Sequence, residues 1–109
     1  MTLTSINKSR YHFGILYSSS LNDSDYEVVE DVILSSIDQV VFSLTGSNCD
    51  VEVRGVVTGN WGILLGDAVA DTGNRLTVTA RGRVQGVDHG VYISGAGEVR
   101  NAGEITARD

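Results

Sequence analysis

Asp67 and Asp71 stand four residues apart in Gly66-Asp67-Ala68-Val69-Ala70-Asp71-Thr72-Gly73-Asn74, the longest loop-like segment between apolar runs. Two carboxylates and nearby loop carbonyls can supply part of the six to eight oxygens that calcium takes. Their spacing matches no calcium loop, and Asp, Gly and Asn also gather in loops because they turn well. Asp23, Asp25 and Glu27 offer the same two readings, a cation site or a solvated acidic loop. Carboxylates paired with each other or with arginine on one face also suggest sugar cleavage. Glu52 and Arg100 share an outward column of the repeat set out below, with Thr79 between them, and Arg83 neighbours Glu104. Charge pairing across strands on a wet face is the simpler account, at about 0.2–1 kcal/mol per pair. Trp61 and His89 occupy equivalent linkers and belong on one edge. Exposed aromatics there suit sugar stacking, and His89 is a metal-ligand type without a partner at ligand spacing; corner residues that pack locally read the same way. Cys49 has no cysteine partner and reads as a small buried hydrophobe. No nucleophile–base motif, phosphate loop or Cys/His cluster is present, so the sequence points away from an enzyme.

The elements that must position these residues come from a threefold recurrence. It reads Val51-Glu52-Val53-Arg54-Gly55-Val56-Val57-Thr58-Gly59, Val78-Thr79-Ala80-Arg81-Gly82-Arg83-Val84-Gln85-Gly86 and Val99-Arg100-Asn101-Ala102-Gly103-Glu104-Ile105-Thr106-Ala107. Aligned on Gly55, Gly82 and Gly103, alternate positions are small or apolar and those between are mostly polar. That period of two predicts strands with one buried and one wet face. The glycines are 27 and 21 residues apart, a spacing suited to one coil of a β-solenoid. Second strands follow at Gly62–Gly66 and Gly90–Ser94. An earlier coil is traced through Tyr26–Leu34, with Glu30 at the glycine position, and Val40–Leu44. Inward Asn101 must find a hydrogen bond, expected from backbone at a turn. The expected fold is all-β: a short parallel β-helix of three to four turns over residues 26–109. Residues 1–25, with an aromatic stretch from Tyr11 to Tyr17, are expected to cap it.

The chain has 109 residues, which suits one domain, a net charge of −6, and 13 glycines of which all but Gly14 lie at or after Gly46. Its 8 Lys and Arg are dispersed, which disfavours nucleic acid. No apolar run approaches a membrane span, and Met1–Tyr11 lacks the apolar core of a signal peptide. No cap follows the strand ending at Ala107. An uncovered solenoid edge invites pairing, so the expectation is a homo-oligomer through that end, or a piece of a longer repeat protein.

Gly82–Ile93 and Val99–Ile105 resemble glycine-rich β-helix segments of large secreted bacterial proteins, those around RTX (hemolysin-type calcium-binding) regions and in autotransporter adhesins. The resemblance implies a right-handed coil, an extracellular or cell-surface setting, and a structural or adhesive role. The Gly-Gly-x-Gly-x-Asp nonapeptide of RTX repeats is absent, so those calcium sites do not carry over. Calcium therefore rests on Asp67 and Asp71, or on the acidic run from Asp23 to Asp31. A glycan-binding or glycan-processing β-helix, carried by Trp61, is the other expectation.

Overall fold

The computed structural model describes residues 2–12, 14–20, 22–36, 39–66, 72–94 and 97–107. Every element among them is a strand. The first coil holds β1 (Thr2–Ile6), β2 (Arg10–His12) and β3 (Tyr17–Ser19); the second holds β4 (Ser24–Val28), β5 (Ile33–Ser36) and β6 (Val40–Leu44). The third coil is β7 (Asp50–Val53) and β8 (Val56–Leu65), the fourth β9 (Asn74–Val78) and β10 (Arg83–Ile93). β11 (Gly97–Asn101) and β12 (Glu104–Ala107) begin a fifth. The result is a β-solenoid of about four turns in which every strand pairing is parallel.

One side is the sheet β1-β4-β7-β9-β11. The second is built from β2, β5, the first halves of β8 and β10, and β12. The third is built from β3, β6 and the second halves of β8 and β10. The strands expected at Gly62–Gly66 and Gly90–Ser94 are thus continuations of the preceding ones, bent at the corner. The N-terminal segment supplies three strands in register with the second coil, and so forms the outermost turn.

Valines stack on valines inside because the coil period places them there. One column runs Ile6, Val28, Val53, Val78, Asn101. A second runs Leu34, Val57, Val84, Ile105, and a third Phe42, Ile63, Val91. Val28, Val53, Leu34, Val57, Val84, Phe42 and Ile63 are wholly buried. Each such side chain contributes about 1.5–3 kcal/mol relative to exposure. At the N-terminal end Tyr17, Tyr26 and Phe42 close the interior, with ring centroids 5.2–6.0 Å apart. The Arg10 guanidinium lies over Tyr17 at 5.5 Å, an attractive cation–ring contact.

The register corrects the sequence frame. Val78 pairs with Val53, not Val51, and Val51 pairs with Leu76 and so with Val99. The reason is a corner that alternates in length. Between the two inward columns the step is four residues from Ile6 to Arg10, six from Val28 to Leu34, four from Val53 to Val57, six from Val78 to Val84, and four from Asn101 to Ile105. Each long corner closes on itself, Val32 N–H donating to Val29 O at 3.2 Å and Gly82 N–H to Thr79 O at 2.9 Å. Each short corner bonds to the long one before it, as Arg54 N–H does to Val28 O (2.9 Å) and Val56 N–H to Val32 O (2.8 Å). Val32, not Glu30, therefore holds the place of Gly55, while Glu30 projects outward. The two long corners meet over the short one: Arg81 donates to Glu30 at 2.7 Å across 51 residues of sequence.

Candidate functional site

Outward side chains carry whatever chemistry this solid stack offers. On the first side Asp25 pairs in register with Asp50, and Glu27 with Glu52. Like charges directly opposite on neighbouring strands destabilise a sheet. Arg54 answers one pair, 3.6 Å from Glu27 and 2.6 Å from Glu52. The hydrogen bond that Arg54 donates to Glu52, then the charges of Glu52 and Glu27, raise the guanidinium pKa. Asp50 fares worse. Burial pushes its carboxyl above the ordinary value of 3.8, against the pull of Arg75 and with help from Asp25 and Glu52.

A carboxyl with a raised folded pKa binds more protons folded than unfolded. Stability from Asp50 is therefore greatest in acid and falls as pH rises from 3.8 through the folded value. Asp50→Asn is expected to raise stability near neutral pH by about 0.5 kcal/mol and to flatten this acid-side slope. Thermal melts of both proteins across that range check it; an Asp50→Asn variant less stable than wild type at neutral pH would contradict it.

The remaining charges continue these ladders. Arg75 lies 3.5 Å from Glu98 and Arg83 3.4 Å from Glu104, while Arg100 bonds Glu98. Arg83 and Glu104 are cross-strand partners, as the sequence places them. Glu52 and Arg100 share an outward column, with Thr77 rather than Thr79 between them. A notch of about 580 Å³ lies by the fourth coil's long corner, walled by Arg81, Arg83 and Glu104. Its charged groups are already engaged in the pairs above, and no acid there is placed as a proton donor with a second poised opposite.

Asp67 and Asp71, the expected calcium ligands, lie outside the described residues. Among the described residues no three of His, Cys, Asp and Glu come together to hold a metal. Cys49 is wholly buried, as expected for a small hydrophobe. It lies level with Asn74, the residue before Arg75, which pairs with Asp50. Asn74, not singled out by its sequence context, is the buried amide of this corner. Its Oδ1 accepts from Cys49 N–H at 2.8 Å and its Nδ2 donates to Gly46 O at 3.2 Å. Asn101 Oδ1 accepts from Gly103 N–H at 3.0 Å, the turn bond expected, but the side chain is exposed on the outermost strand.

Trp61 and His89 do come together. They are register partners on β8 and β10, and their ring centroids are 4.5 Å apart at 33°. Tyr92 completes the group, 5.4 Å from Trp61 and 6.1 Å from His89. Sequence spacing does not flag Tyr92, which reads as one residue of an alternating strand. The strand is irregular between Gly86 and His89, and His89 and Tyr92 both lie on the outer surface. No helix among the described residues is long and apolar enough to cross a membrane. Comparison with protein-family models, with curated proteins and with solved structures finds no match for this chain.

Proposed function

We propose that this chain is a non-catalytic structural or adhesive β-solenoid module of a secreted or surface-associated bacterial protein, self-associating through the edge formed by β11 and β12. The observation that carries the proposal is the contrast within its inward columns. Leu76 and Val84 are wholly buried, whereas Val99, next to Leu76 in its column, is 45% exposed, and Ile105, next to Val84, is only half-buried. A parallel edge with apolar positions uncovered is a template for another strand. The ion-pair ladders support a structural rather than a catalytic use of the outward charges. The secreted setting and the right-handed coil rest on the resemblance of the glycine frame to RTX-region and adhesin β-helices.

Ile105→Lys places a charge in the open column, beside Val84 at the outer end of the core, and a thermal melt checks that the inner coils stay folded. Sedimentation equilibrium is expected to show a reversible dimer or larger species for the wild type, weakened at least about tenfold in the variant. A wild-type monomer at high concentration, or association indifferent to Ile105→Lys, would overturn self-association through this edge.

A further inference from the structure

We infer that the corner carrying Trp61, His89 and Tyr92 is a platform for neutral saccharides, a ligand class for the adhesive module proposed above that rests on that reading. The aromatic side chains with ring contacts fall into two groups. Tyr17, Tyr26 and Phe42 pack together at the N-terminal end of the interior, where burial accounts for them. Trp61, His89 and Tyr92 pack on the outside, where burial accounts for them only in part: Trp61 is half-buried, His89 exposed and Tyr92 41% exposed.

The outer rings are not coplanar. Trp61 tilts 33° against His89 and 38° against Tyr92, and His89 meets Tyr92 edge-on at 70°. They form a faceted apolar surface on the scale of a sugar ring or two. A pyranose presents an apolar C–H face with a rim of hydroxyls, and sites for such ligands combine aromatic walls with a few polar groups. The polar groups are supplied by the same corner. Asn60 adjoins Trp61 and Asp88 adjoins His89, and the Asn60 N–H bonds Gln39 O at 3.1 Å, which ties Gln39 of the coil above to the same edge.

Charge narrows the class. No Lys or Arg lies in the corner segments 39–40, 60–62 or 87–90, and the chain carries a net charge of −6. Among the described residues of those segments an acidic sugar or phosphate would meet Asp88 and no Lys or Arg. Size argues against a protein ligand: three rings fall well short of the roughly 800 Å² per partner of a stable interface.

Trp61 is the sole tryptophan, so emission excited selectively at tryptophan reports on this corner alone. The full chain is titrated with cellohexaose, chitohexaose, maltohexaose and mannohexaose, by emission and by calorimetry. A saturable response to at least one is expected. Tyr92→Ala and His89→Ala, both at exposed positions, are expected to weaken it at least tenfold with little change in the thermal melt. The absence of saturable binding to all four, or binding unchanged in both variants, would overturn the platform. The Ile105→Lys variant keeps the two proposals separate. Sugar binding by this variant leaves the platform standing whatever its oligomeric state, and self-association without sugar binding removes the platform alone.

Discussion

Gly55→Ala is expected to cost about 3 kcal/mol, at the upper end of what one added methyl does in a packed interior, and to lower the melting temperature by roughly 12 °C for a chain of this size. The short corner of the third coil sits in the concavity of the long corner before it. A Cβ on Gly55 would lie 2.7 Å from the Val29 carbonyl oxygen and overlap that of Val32. Both atoms are backbone, held by the Val32–Val29 turn bond and by the bond from Val56 N–H to Val32 O. Neither can swing aside as a flexible side chain would, so the two coils must separate locally. Gly103 offers the control. A Cβ there would overlap the Gly82 and Thr79 carbonyls in the same manner, but no described coil packs on the far side of its own, so it can tilt outward. Gly103→Ala is expected to cost about 1 kcal/mol. Equal melting temperatures for the two variants would contradict the nested-corner account.

Asn74→Leu is expected to cost about 2–4 kcal/mol, although it keeps the branching at Cγ and adds apolar surface to the interior. The reason is what it strands. Asn74 is 1% exposed, and its amide serves the Cys49 N–H and the Gly46 carbonyl at once. Two backbone groups buried without partners cost about 1–3 kcal/mol each, offset in part by the apolar gain. Chemical denaturation checks it. A variant as stable as wild type would mean that the corner finds its bonds elsewhere.

The stack was legible in the sequence because its signal is local and repeated. Val57, Val84 and Ile105 follow Gly55, Gly82 and Gly103 at one fixed offset, and the structure keeps that column intact. Of the strands before the glycine, only the one before Gly82 departs from the frame, by two residues, since Val51 and Val99 do share a column. Ala80 imitates an inward small residue, yet it belongs to a long corner that Gly55 and Gly103 lack. Corner length depends on the hydrogen bonds of the neighbouring coil, which alternation along one strand does not encode. The same ambiguity put Glu30 where Val32 sits. Trp61 and His89 were legible as a pair because equivalent linkers in a solenoid must stack. Tyr92 was not, since it reads as one outward residue of an alternating strand, and only the folded corner shows its ring beside Trp61 and His89. Asn74 was hidden because a polar residue after a Thr-Gly turn reads as loop, whereas here it is the inward start of a strand.

The alternating corner is the claim on which register, ladders and aromatic edge all depend. The most direct test is the pattern of inter-coil backbone contacts in solution, read as long-range amide–Hα cross-peaks by NMR. The structure predicts cross-peaks joining the neighbourhoods of Val53 and Val78, and of Val57 and Val84, within the same molecule. Cross-peaks placing Val78 beside Val51, with Val84 still beside Val57, would show equal corners and contradict the account.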